Sequence, residues 1–264
     1  MIPNPIRKVL STFRKHRVRG LLMGGQACIA YGAAEFSRDV DLAVLCSPGN
    51  LTRLRRALEE LAAELVFVPP LEEAYLRRGH ACHFRCHGPE VAGFRVDIMS
   101  VLRGCDAFEK LWDRREVVSS RELGRVDLLS LPDLVAAKKT QRDKDWPMIR
   151  RLVEADYFRS RSNPKPGQAD FWLRELRTPE LLMELVRRRP ARARRLEADR
   201  SLLSIAATGN LKRLEEALRR EQEAERAADR KYWAPLRKEL ELLRRAQGSR
   251  SARRQRRPTG TRLC

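Results

Sequence analysis

Two aspartates stand one residue apart in "DVDLAV" (Asp39 and Asp41), and a third, Asp97, lies well downstream in "FRVDIM". Side chains two residues apart on a strand share a face, so Asp39 and Asp41 project together while Val40 and Leu42 face the core. Carboxylates held about 5 to 7 Å apart repel by roughly 1 to 3 kcal/mol. A hard divalent cation such as magnesium, which takes oxygen ligands, turns that repulsion into attraction. In the later run Phe94, Val96 and Ile98 alternate with Arg95 and Asp97, which makes Asp97 the natural third carboxylate. Three acids at one sheet edge could hold two metal ions that clamp an attacking and a leaving oxygen. Just upstream, "LLMGG" ends an apolar run on Gly24 and Gly25. Such a turn lets backbone N–H groups approach a triphosphate closely, and the start of the following helix favours negative charge. No Gly-Lys-Ser/Thr follows, so this is not a Walker loop.

Other residue clusters have plainer readings. "HACHFRCH" (80–87) holds three histidines and two cysteines, but Cys82 and Cys86 on an extended strand would stand about 13 Å apart, too far to share one zinc. Cys82, Phe84 and Cys86 are expected on one side of a hairpin, with His83, Arg85 and His87 on the other, towards a substrate cleft. Lys138, Lys139 and Arg142 could reach phosphates or form a solvated helix face. Asp143 and Asp145 are expected to pair with neighbouring cations.

These residues need a scaffold. Ile6, Val9, Leu10 and Phe13 recur at helical spacing, predicting a short first helix that ends near Gly20. A strand over 21–23 leads through the glycines into a helix carrying Ala27, Cys28, Ile29 and Tyr31, and 40–45 is a second strand. A helix over 51–63 is expected to be capped by Asn50, and 66–68 to be a short strand. The stretch 81–100 reads as an antiparallel hairpin. From Pro132 the pattern turns helical, and "RSRSNPKPGQ" (159–168) has almost nothing to bury, which marks a domain boundary. Beyond it, Thr178-Pro179-Glu180 is a helix start, with the Thr178 hydroxyl expected as the cap, proline at the first helical position and an acid in the first turn. Leu211, Leu214 and Leu218 form a thin apolar stripe, with Pro235 expected to kink or restart that helix. The expected organisation is an α/β domain over 1–160 with a mixed sheet flanked by helices, a small charged helical region over 168–247, and a disordered basic tail over 248–264.

The chain of 264 residues carries 55 Lys+Arg against 35 Asp+Glu, a formal charge of +20. That excess favours polyanionic partners such as nucleic acid or nucleotides. After Glu241 there is no acid and there are eight arginines. Six scattered cysteines without a C-x-x-C pair suit a reducing cytoplasm. No apolar run reaches the roughly 20 residues of a spanning helix, so no membrane partner is expected.

Taken together, "LLMGG", then "DVDLAV", then "FRVDIM" resemble the signature of the polymerase-β-type nucleotidyltransferase superfamily: hydrophobic-Gly-Gly/Ser, a short helix, Asp-hydrophobic-Asp and a distant third acid. Within it the chain resembles bacterial nucleotidyltransferase-like proteins grouped with the AbiEii-type toxins of toxin-antitoxin systems. The resemblance covers about residues 18–155 and implies a nucleotidyltransferase-type sheet followed by C-terminal helices. It implies Mg2+ as cofactor, with Asp39 and Asp41 ligating two ions and Asp97 ligating one and helping to deprotonate an acceptor hydroxyl. It also implies an NTP, ATP among the candidates, with Gly24, Gly25 and Ser37 lining the triphosphate pocket, and Lys138 and Lys139 reaching phosphates. RNA, with tRNA foremost, is the implied acceptor, and an antitoxin a possible partner. The chain departs from the pattern where many relatives have Arg-x-Ser/Thr-x-Asp-x-Asp: "EFSRDVD" puts Glu35 at the arginine position and offers Arg38 as the substitute. The alternative from another functional class is a non-catalytic module of this fold that binds nucleic acid through its basic C-terminal region.

Overall fold

The apolar run ahead of Gly24 forms an interior strand of a seven-stranded mixed sheet. The structure, a computed structural model, describes residues 5–34, 37–120 and 124–255. Helix α1 (Pro5–Lys15) buries Val9, Leu10 and Phe13 and leads into β1 (Gly20–Met23). Leu21 and Leu22 are both fully buried, as expected of a strand covered on both faces. The chain turns directly into α2 (Gly24–Ala30), then β2 (Asp39–Val44) and α3 (Pro48–Glu60). Next come β3 (Ala63–Leu65), α4 (Glu73–Arg78), β4 (Cys82–Cys86) and β5 (Arg95–Met99). Helix α5 (Phe108–Asp113) precedes the hairpin β6 (Glu116–Ser120) and β7 (Gly124–Leu128), and α6 (Leu131–Ala137) and α7 (Asp145–Ser160) follow.

The sheet order is β3-β4-β5-β2-β1-β7-β6. β1 runs antiparallel to β2 and parallel to β7, while β2 runs parallel to β5. The expected hairpin over 81–100 is present as antiparallel β4 and β5. Three local expectations are corrected. The strand expected at 66–68 lies at Ala63–Leu65. Asn50 does not cap α3: the Ser47 side chain accepts from the Asn50 N–H. Asn50 is instead fully buried, donating to the carbonyls of Arg19 and Leu45 and accepting from the Arg19 N–H, so its amide joins the loop before β1 to the end of β2. Thr178 makes no cap bond either; its hydroxyl is taken by Glu154.

Beyond the 159–168 link all the described elements are helical: α8 (Gln168–Glu175), α9 (Pro179–Arg188), α10 (Pro190–Leu196), α11 (Leu202–Thr208) and α12 (Leu211–Gln255). One apolar cluster runs from Val9 to Leu218. The contact between Tyr157 of α7 and Trp172 of α8, edge to face at 5.1 Å between ring centres, carries it across the link. Pro235 lies inside a continuous α12 rather than restarting it. The helix is secured on both sides of the proline, by Asp229 before it and by Leu236 and Glu239 after it. Residues 256–264 of the arginine-rich end lie outside the described residues.

α12 is fastened by polar contacts both to the sheet side and to the other C-terminal helices. Asp229, 1% exposed, accepts from the Gln141 N–H at 2.8 Å and pairs with Arg103 Nε at 3.1 Å. Glu239 holds Arg78 and the buried His80, each at 2.7 Å. Glu221 receives two buried guanidinium groups, Arg177 and Arg200, at 2.9 and 2.8 Å. Among the described residues no helix is long and apolar enough to cross a membrane.

Candidate metal and nucleotide site

The alternation in β2 places Val40 and Leu42 in the core and leaves Asp39 and Asp41 half-buried on the other face. β5 repeats the pattern, with Val96 and Ile98 buried and Asp97 half-buried. The parallel register sets Asp41 opposite Asp97 and Asp39 opposite Arg95. The three acids therefore converge: one carboxylate oxygen from each lies within 4.8 Å of the other two. They are the one group of three potential metal ligands among the described residues.

Electrostatics show what the arrangement costs. The Asp41 carboxyl is pushed up to about 6, first by burial and then by the charges of Asp39 and Asp97, with Lys138 and Arg142 opposing the rise. Burial also pushes Asp97 up, but His83 and Arg95 outweigh it and hold that carboxyl below its usual value. His83 Nδ1 stands 2.9 Å from Asp97 Oδ1, and Arg95 Nη2 donates to both Asp97 oxygens at 3.0 and 3.3 Å. Ser37 Oγ donates to Asp39 Oδ1 at 2.8 Å.

The glycines are sterically required. Gly24 has φ +66°, a backbone region that L side chains rarely adopt, and a Cβ there would land inside the Asp41 carboxylate. A Cβ on Gly25 would collide with the Ser37 hydroxyl. β1 pairs with β2 so that Met23 faces Asp41, which brings the turn directly against the acids. Helix α2 has only seven residues, so its dipole adds less than a longer helix would.

The remaining expected site residues divide. Lys138, the C-cap of α6, is 12% exposed at its side chain and lies 3.7 Å from Asp145. Its charge acts on both Asp41 and Cys28. Lys139 turns away to Glu175, at 2.7 Å. Arg38 is exposed at the start of β2. Arg142 and Thr140 both donate to Asp145, at 2.7 and 2.5 Å, and Asp143 pairs with Arg226, so these acids are charge partners. Glu35 lies outside the described residues.

Cys82 and Cys86 are buried thiols pushed up to about 12 and about 11 by burial, which suits core packing rather than metal ligation. His83 and Arg95 were not expected as partners of Asp97. Arg95 had a signal, since it shares a face with Asp97 two residues away; His83 reaches it only through the β4–β5 register.

A hard, all-oxygen donor set, an Asp41 carboxyl raised by burial and then by its acidic neighbours, and a turn with no room for a Cβ together fit a divalent cation beside a phosphate group. No protein-family model and no curated protein matches this chain. Among solved structures, "putative nucleotidyltransferase from H. pylori" is similar at 14% identity and a TM-score of 0.37, the match spanning 86% of this chain and 92% of that one. A likeness that distant bears no functional conclusion.

Proposed function

We propose that this chain is a magnesium-dependent nucleotidyltransferase that moves a nucleoside monophosphate from an NTP onto a hydroxyl acceptor. The observation that carries the reading is the convergence of Asp39, Asp41 and Asp97 beside Gly24. In the reaction the acceptor oxygen bonds to the α-phosphorus, the bond to the β-phosphate oxygen breaks, and pyrophosphate leaves. Asp39, Asp41 and Asp97 would hold the metal. Magnesium, when bound, would supply positive charge against the triphosphate oxygens.

Ser37 orients Asp39 by its hydrogen bond. Gly24 and Gly25 allow the triphosphate to approach the backbone, and Arg38 and Lys138 would offset its charge. Asp97 would accept the proton of the attacking hydroxyl. Residues 1–160 would carry this chemistry and the charged helices of 168–247 the acceptor, which we take to be RNA, tRNA foremost. Use as a toxin held by an antitoxin belongs to the same reading.

The test uses purified protein with each labelled NTP, magnesium and total RNA, beside Asp39→Ala and Asp97→Ala. Label is expected on RNA with the native protein only. Transfer that survives both substitutions removes the proposal, and label appearing on an added aminoglycoside in place of RNA would redirect the acceptor. One observation favours a second reading, a non-catalytic module binding nucleic acid: Arg95 already neutralises Asp97. That reading expects RNA affinity that falls steeply with salt, ignores magnesium and is lost on removing residues 242–264.

A further inference from the structure

At the end of β1 remote from the three acids, where Gly20 pairs with Val44, a cavity of about 300 Å3 opens between α1, β1 and β7. Its volume lies within the range of small-molecule sites. The floor is apolar, with Leu10, Phe13, Val18 and Val126 beside Trp112. Arg14, Arg17, Arg19 and Arg125 also line it and are exposed. The one acid in the lining, Asp127, is already held by Arg115 at 2.8 Å.

The four guanidinium groups are not equivalent. Arg19 lies over the Trp112 ring at 4.7 Å, a ring that Arg115 also covers at 4.2 Å, and Arg14 donates to the Arg125 carbonyl at 3.2 Å. Among the described residues neither Arg17 nor Arg125 has a carboxylate partner. An apolar floor beneath four cations recognises a ligand with a flat apolar body and an anionic group, since guanidinium forks bind phosphate in bidentate fashion and their planes stack on aromatic rings.

We propose that this cavity is a second binding site, separate from the carboxylates, for a small aromatic phosphate. Arg17 and Arg125 bind the phosphate, and the floor takes the ring.

The test titrates the full chain in EDTA with 1-naphthyl phosphate and with 1-naphthol, followed by calorimetry. The expected result is saturable binding of the phosphate at one per chain, with 1-naphthol at least tenfold weaker on the same native protein. Arg17→Ala combined with Arg125→Ala weakens the phosphate at least tenfold, and Asp41→Asn leaves it unchanged. Alanine at position 17 carries the same Cβ cost at φ +54° that arginine already carries, so the double variant is expected to fold. Absence of saturable binding, equal affinity for 1-naphthol, or full affinity in the double variant would each overturn the site. A changed affinity in Asp41→Asn, in either direction, would place the ligand at the carboxylates and overturn it equally.

Discussion

Arg95 Nη2 spans both carboxylate oxygens of Asp97, at 3.0 and 3.3 Å, so the third acid of the site already carries a counter-charge from its own strand. The pair is partly open, with the arginine side chain 46% exposed. An ion pair of that kind is worth about 1 kcal/mol at most. Arg95→Ala should therefore free Asp97 for an incoming cation and tighten divalent binding by roughly fivefold, measured by calorimetric titration with Mn2+. Weaker binding in the variant would mean that Arg95 serves chiefly to aim Asp97.

Gly24→Ala meets two obstacles, the φ of +66° and the Asp41 carboxylate. Gly104 has φ +77° and open space around it, so Gly104→Ala isolates the backbone cost, about 1 to 2 kcal/mol. Urea denaturation should show Gly24→Ala costing a further 1 to 3 kcal/mol or so, the usual range for overpacking, together with weakened Mn2+ binding. Matching losses in the two variants would show that Asp41 moves aside at no cost.

Asp41 sets a pH dependence with an unusual sign. Its folded value of about 6 exceeds the ordinary 3.8, so between those values the native state binds more protons than the unfolded chain. Stability from this group is present at low pH and lost as pH rises from about 4 to about 6, by at most about 3 kcal/mol. Asp97 has the opposite sign, since its lowered value contributes stability that is lost only as pH falls below the ordinary carboxylate range. In EDTA, urea midpoints should decline from pH 4.5 to 6.5 in the native protein and stay flatter in Asp41→Asn. Parallel declines would exonerate Asp41.

Asp229 concentrates contacts from separate parts of the chain: Arg103, the Gln141 N–H and the Trp233 indole N–H at 3.1 Å. Replacing it with alanine leaves a buried donor unpaired and Arg103 with Glu225 as its remaining acid. A loss on the order of 3 kcal/mol is expected, read as a lower urea midpoint. Hydrogen exchange should quicken at the Gln141 amide well before the β2 amides. Unchanged protection at Gln141 would show that α12 does not hold that loop.

Local alternation revealed much of the site. Val40 and Leu42 against Asp39 and Asp41, and Val96 and Ile98 against Asp97, assign faces without any knowledge of neighbouring strands. The parallel pairing of β2 with β5 was not legible, because the strands are separated by two helices and two other strands, and no residue pattern encodes that partner choice. The same holds for His83, whose place beside Asp97 depends on register. The β6–β7 hairpin was hidden because Val117 is exposed and the alternation of Val126 and Leu128 with Arg125 and Asp127 is too short to stand out alone. Asn50 looked like a cap by type and position, but its buried long-range bonds prevailed. Pro235 looked like a break, but the packing of α12 on both sides overrides its local cost.

The pairing of Asp41 with Asp97 also proofreads the sheet. A slip of one residue between β2 and β5 that reversed the faces of β5 would drive Asp97 into the space of Val96 or Ile98, both fully buried, and bring an aliphatic side chain out beside Asp41. Burying that carboxylate without a partner would cost several kcal/mol. The misaligned chain would thus lose the metal pocket and the core together, so every molecule that completes its hydrophobic interior arrives with the acids already gathered.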